Sequence, residues 1–406
     1  MGVETRVREL AGELTPGIVE TFRHIHQHPE LSFHEHKTTR YIKNELAKLG
    51  IEILDIGMET GVVGLLRGAC GGPCVALRAD IDGLPVQEQT DYEFKSKVDG
   101  IMHACGHDVH TASLIGAARI LAAMREQVKG SVKFLFQPAE EKNDGAKLML
   151  ERGVLENPHV DVIFGMHNQP EIPAGSVGVK QGPLMAAVNS FYINIRGRGG
   201  HGGVPHRNVD PVVAAASVIS SLQTVVSRNV ESLKPCVISV CGLQTDNGFR
   251  CNITPDLVRM AGTCRRYDRD LIPVVEPLMR RIVEQTAAAY GFTGELIYEY
   301  DLPATVNPPS LYPVMYDAVT AVGAQPVDPT PSTGGEDFAL FMEKVPGFLF
   351  WLGVGNEERG WVHPWHSPQF RADERALPIG AACYAMAVFK AGSALYKNRP
   401  AVDEIL

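Results

Sequence analysis

Two rhythms of apolar residues divide the chain. From residue 3 to about 180, short apolar runs alternate with stretches whose apolar positions recur every three or four residues. Runs at 61–66, 74–77, 132–136 and 160–166 read as strands, and 108–125 reads as a helix with Leu114, Ala118 and Leu121 on its apolar face. Strands separated by helices predict a largely parallel sheet, which presents its chemistry at the carboxyl ends of its strands. Between 188 and 300 the order changes to strand 188–196, helix 209–229, strand 236–243, strand 256–264, helix 268–290 and strand 293–300. That β-α-β-β-α-β order is the split βαβ, or ferredoxin-like, unit, and Pro183 and Pro303 bracket it. Beyond Pro309 the first rhythm resumes with a helix at 311–322, a strand at 348–353 and a last helix at 373–396. The predicted fold class is therefore α/β. A discontinuous domain with a largely parallel central sheet, residues 1–186 and 303–406, is interrupted by a ferredoxin-like domain at 187–302.

Composition narrows the function more than the fold. A chain of 406 residues exceeds what one core usually organises, so a cleft between two domains is the default expectation. The net charge of -9, without a Lys/Arg-rich run, offers no footprint for nucleic acid or an anionic membrane, and a small substrate fits better. The start, MGVETRVREL, has no signal-type apolar stretch, and no apolar run is read as long enough to span a membrane, so the cytoplasm is the expected address. Eight cysteines scattered along the chain suit a reducing compartment. Cys70 and Cys74 have no second pair at zinc-knuckle spacing.

Candidate chemistry gathers around the predicted strand ends. Cys105 and His107, in MHACGHD before the helix, lie two apart in extended backbone and project to one side. A thiolate and an imidazole together suit a borderline-soft metal, although Asp108 after a glycine turn also reads as a plain helix cap. Strand 132–136 runs into QPAEE, which sets Glu140 beside Glu141. In a metal hydrolase one such carboxylate binds metal while its neighbour takes the proton of the attacking water; the plainer reading is an acidic helix start. His167 follows the strand at 160–166. His363 and His366 sit in a proline-stiffened aromatic loop, each either a ligand or packing. Asp80 and Asp82, just after a strand, suit the task of holding a ligating imidazole by its other nitrogen. His24, His26, His28, His34 and His36 have no acid or thiolate cluster beside them and are expected at the surface or an entrance. A rival reading, Cys105 as a nucleophile with His107 as its base, leaves the downstream acids and histidines unexplained.

Taken in order, MHACGHD, QPAEE, GMH, GRGGHGGVPH, STGGEDF and HSPQF resemble the di-metal aminoacylase and carboxypeptidase family, in its branch of hippurate hydrolases and indole-acetyl-amino-acid hydrolases. The resemblance covers about residues 22–389. It implies a metal-dependent amidohydrolase acting on N-acyl-amino acids, with peptidase, dipeptidase or N-acetyl-diaminopimelate deacetylase action on the same scaffold, or a non-catalytic metal-dependent binding protein, as the alternatives. It further implies two divalent ions (zinc, manganese, nickel or cobalt) on Cys105, His107, Glu141, His167 and His366, with Glu140 as general base. His201 matches the family histidine that reaches the site of the other subunit and steadies the oxyanion. Asn252 and Arg265 match groups that hold the substrate carboxylate, and the ferredoxin-like lid is expected to form a homodimer. The sequence departs from the wider family pattern at Asp80, which stands in place of a histidine. It departs from close relatives at Gly202 and Gly203 in place of alanines and at Trp365 in place of a leucine.

Overall fold

The apolar runs of the first rhythm pair side by side, as strands covered on both faces must. In the computed structural model, which describes residues 2–397, they belong to a unit that runs to Leu184, takes in Val306–Thr330 and resumes from Asp337. It begins with α1 (Val3–Gln27), α2 (His36–Lys48), β1 (Glu52–Leu54), β2 (Val62–Arg67), β3 (Cys70–Asp80) and α3 (His107–Ala123). It continues through β4 (Lys129–Gln137), α4 (Gly145–Glu151), β5 (Val162–Pro173) and β6 (Ser176–Gly178). A second unit, Met185–Thr305 with Pro331–Glu336, holds β7 (Ala187–Arg196), α5 (Pro211–Asn229), β8 (Cys236–Thr245), β9 (Leu257–Arg266), α6 (Ile272–Ala289) and β10 (Thr293–Leu302). The first unit is completed by α7 (Tyr312–Ala321), β11 (Gln325–Val327), α8 (Phe338–Met342), β12 (Gly347–Gly355) and α9 (Leu377–Lys397).

The eight strands of the first unit lie in the order β1-β2-β4-β3-β5-β12-β6-β11. The central four, β4, β3, β5 and β12, are mutually parallel, while β2 joins β4 and β6 joins β12 antiparallel. The carboxyl ends of β3 and β4 therefore open on the same edge, where the acidic motifs follow. Helix α3 is buried around most of its circumference against α1 and α9, which explains why its apolar periodicity is weak. Its Leu114, Ile115 and Leu121 join Phe134, Phe164 and Phe348 in one core, each side chain stabilising the fold by roughly 1.5–3 kcal/mol. The segment Glu374–Leu395, containing most of α9, is long and apolar enough to cross a membrane, contrary to the expectation that no run is; most of it is instead buried within the protein.

The second unit carries an antiparallel sheet in the order β8-β9-β7-β10. Alternation along β7 sends Phe191, Ile193 and Ile195 into a core with Val218 and Leu222 of α5 and Met279 and Val283 of α6, leaving Tyr192 exposed on the opposite face. This is the ferredoxin-like arrangement. The unit also takes in Pro331–Glu336, which the apolar pattern assigned to the other domain, because those residues pair with the backbone at Met185 and Ala186.

Candidate metal centre

Strand ends and one helix start bring the candidate ligands of the first unit together. Gly106 precedes α3 with φ of 79°, and a Cβ there would fall 2.3 Å from Asn168 Nδ2, so the turn that presents Cys105 and His107 needs glycine. Asn168 in turn donates to the Cys105 carbonyl at 2.6 Å. After β4, the turn bearing Glu140 and Glu141 is framed by Ala139 and Asn143, both left-handed, and Ala139 N donates to the buried Glu35 carboxylate at 2.9 Å. His167 lies inside β5 rather than at its end. The ladder between β3 and β5 stops at Arg78 and Gly165, so His167 stands just past its neighbour and pairs only with Trp351 of β12. His366 is left-handed, with φ of 64°, and its N–H is fixed on Ala104 O at 2.9 Å.

The ligand atoms of Cys105, His107 and His167 lie within 4.8 Å of one another, and so do those of Cys105, Glu141 and His366. Cys105 is common to both groups. Cys105 Sγ is 3.6 Å from His167 Nε2, and Glu141 Oε1 is 3.6 Å from His366 Nε2 and 3.8 Å from His107 Nε2. Donors held by one tetrahedral ion at ordinary bond lengths are about 3.5 Å apart, so this spacing suits shared cations. His107 Nε2 and Glu141 Oε1 are buried without a hydrogen-bond partner, a costly arrangement unless a cation answers them. Glu140 Oε2 sits 3.9 Å from His107 Nε2. The donor set therefore fits a metal pair.

Surrounding groups fix the protonation states. Burial opposes a charged His107, but Asp80, Cys105 and the Asp82 hydrogen bond outweigh it and hold its pKa well above the ordinary imidazole value. Burial pushes Glu141 up to about 7. Burial, with His110 alongside, holds His167 well below the usual value, while His167 Nδ1 donates to Asn168 O at 2.8 Å. Burial, with Glu141 close by, raises the Cys105 thiol in the metal-free chain.

Comparison with known proteins places this arrangement. Residues 76–390 match the model of peptidase family M20/M25/M40. The chain belongs to this family. It is 46% identical over 369 residues to a Bacillus subtilis (strain 168) protein named N-acetylcysteine deacetylase, covering 91% of this chain and 95% of that one. It is 38% identical over 391 residues to the Arabidopsis thaliana IAA-amino acid hydrolase ILR1-like 2, covering 94% and 87%. The solved Bacillus subtilis YXEP protein, described as a dinuclear metal binding peptidase from the M20 family, superposes with a TM-score of 0.84 at 41% identity, covering 94% and 99%. This M20 chain is a metal-dependent hydrolase of amide bonds.

Within the M20 chain, several expectations need correction. Asp82 does hold His107 by its second nitrogen, Nδ1 to Oδ1 at 3.0 Å. Asp80 instead takes His110 Nδ1 at 2.5 Å, and His110 Nε2 accepts from Asn168 N at 2.8 Å, leaving no nitrogen free to bind metal. His110 escaped notice although it lies three residues from His107 on the same helical turn. Arg78, wholly buried, pairs with Asp80 and with Asp337 of the STGGEDF motif. His363 is only partly exposed and belongs to none of the ligand groups found among the described residues. In the second unit, His201 is exposed and its Nδ1 accepts from Gly203 N; Asn252 is exposed, and the half-buried Arg265 donates to Thr263 Oγ1.

His26, expected at the surface or an entrance, is buried between Asp108 Oδ2 at 2.6 Å and Glu88 Oε1 at 3.2 Å. The acids that flank it lie far along the chain, so no local cluster announced them. Burial opposes its charge, but Asp108 and Glu88 prevail and raise its pKa to about 9, against an ordinary 6.5. A raised folded-state pKa stabilises fully below the unfolded value and loses that contribution as pH climbs through the folded one. The stability gap between parent and His26→Gln, measured by urea unfolding of the metal-free chain, should thus be greatest near pH 6 and shrink by about 3 kcal/mol toward pH 10. A gap that widens with pH would contradict the ion-pair assignment.

Proposed function

We propose that the chain hydrolyses N-acyl-amino acids to a carboxylic acid and a free amino acid. The observation that carries this reading is the pair of ligand groups that share Cys105, with Glu140 beside them. Cys105, His107 and His167 would hold one divalent ion, and Cys105, Glu141 and His366 a second. When bound, these ions supply Lewis acidity to the amide carbonyl and to water. A thiolate and imidazoles favour the softer end of the set zinc, manganese, nickel and cobalt. Two relatives support the substrate class, since the name of each describes an acylated amino acid.

The protein's own residues carry the proton and the charge. Glu140, buried beside His107 and Glu141, takes the proton of the attacking water and passes it to the departing amine. His201, supplied by a partner chain in a homodimer, steadies the developing oxyanion. Arg265, with its planar two-pronged guanidinium, and Asn252 hold the substrate carboxylate. Asp82 fixes the His107 ring through Nδ1 so that Nε2 faces the ions.

A screen of N-acetyl, N-benzoyl and indole-acetyl amino acids, after reconstitution with each of the four metals, should release free amino acid. In that assay Glu140→Gln should keep metal content and melting temperature while losing roughly 100- to 10,000-fold in turnover. Turnover near the parent's would remove Glu140 from the base role. Mixing inactive Glu140→Gln with inactive His201→Ala should restore part of the activity through mixed dimers with one intact site. Confirmed subunit exchange without recovery would contradict the shared site.

A further inference from the structure

His26 is not among the candidate ligands, yet it joins two segments on which they depend. Its Nδ1 faces Asp108, in the first turn of α3 beside His107, and its Nε2 faces Glu88. A neutral imidazole donates from only one nitrogen, so two carboxylates on its two nitrogens call for the imidazolium. Phe22, Tyr92 and Phe94 close around the ring at centroid distances of 5.5–5.7 Å, leaving this charge little solvent. Without it, two carboxylates would be buried with no cation between them, an arrangement that breaks the surrounding packing.

Glu88 anchors residues 85–101, a stretch with neither helix nor strand. Loops of that length inside a folded unit hold their shape only through specific bonds. Besides His26, the Glu88 carboxylate accepts from Ser96 N at 2.6 Å and from Thr90 Oγ1, drawing the loop around itself. The other side of the loop grips the segment that carries His366. Gln89 N donates to Pro368 O at 2.8 Å, Tyr92 OH donates to Ala372 O at 3.0 Å, and Arg371 pairs with Asp91 at 2.7 Å. His366 holds a left-handed backbone, uncommon for a residue with a side chain, and these contacts brace the segment that carries it.

We propose that the His26 imidazolium is a positioning residue of the metal centre, clamping the first turn of α3 to the 85–101 loop that braces the His366 segment. This rests on the metal-centre assignment above. Its effect should appear in metal affinity and in the tightness of the aromatic loop, not in the chemical step alone.

The test measures zinc affinity by competition with a chromophoric chelator and loop tightness by acrylamide quenching of tryptophan emission, since Trp361 and Trp365 lie in the braced segment. His26→Gln should keep its circular dichroism, bind zinc about tenfold more weakly or worse, and quench more readily. Glu4→Gln, which breaks the exposed pairing of the same helix with Lys390, should match the parent in both measurements. Parental affinity and quenching in His26→Gln would overturn the proposal, as would an equal loss in Glu4→Gln. Should His26→Gln fail to fold, Glu88→Gln removes only the loop-side charge; a smaller loss in the same direction supports the clamp, and parental affinity overturns it. A parent that binds no zinc overturns the metal-centre assignment and this proposal together, whereas a zinc-binding parent with an unchanged variant overturns the proposal alone.

Discussion

Five candidate metal-ligating side chains are held within a few ångströms of one another in the first unit, and this constraint orders what surrounds them. His107 Nε2 and Glu141 Oε1 are buried without a hydrogen-bond partner, each costing about 1–3 kcal/mol if nothing answers it. A fold keeps such groups only where the rest of the unit is strong enough to hold them. Here the apolar core around α3 and the central parallel strands supplies that strength, and cations at the shared Cys105 would recover the cost.

Behind the donors lies a layer of groups that hold them in place. Asp82 fixes His107, the backbone of Asn168 fixes His167, and Glu35 holds the turn that presents Glu140 and Glu141. Deeper still, Arg78 is shielded from water and spans Asp80 and Asp337, so the start of the chain's metal-binding half and its return after the second unit are tied by one guanidinium. Removing one partner from such a pair typically costs about 3–5 kcal/mol, since the other is left charged and dry. Trp365 adds an aromatic wall, its ring edge-on to His167 at 4.7 Å and its N–H on Asn168 O.

Features built from local sequence were legible in advance. A strand is expected at 188–196, and β7 covers it; the acidic pair after 132–136 is expected at a strand's carboxyl end and sits just past Gln137. What stayed hidden depends on residues distant in sequence. His26 looked like a surface histidine because its acids come from positions 62 and 82 residues away. Asp80, expected to hold a ligating imidazole, takes His110 instead, a pairing set by how β3 meets α3 rather than by local sequence. Nor did hydropathy reveal that Pro331–Glu336 belongs to the second unit, a polar stretch placed by backbone pairing rather than by apolar burial.

Whether Cys105 belongs to the metal centre is open to direct measurement by titrating the metal-free chain with cobalt(II) and following thiolate-to-cobalt charge-transfer absorption. Exposed Cys70, Cys241 and Cys251 make the Cys105→Ser variant the necessary companion. The proposed centre requires the band to rise until two cobalt ions are bound per chain and to vanish in Cys105→Ser. A band unchanged by that substitution, or saturation without any thiolate band, would contradict it.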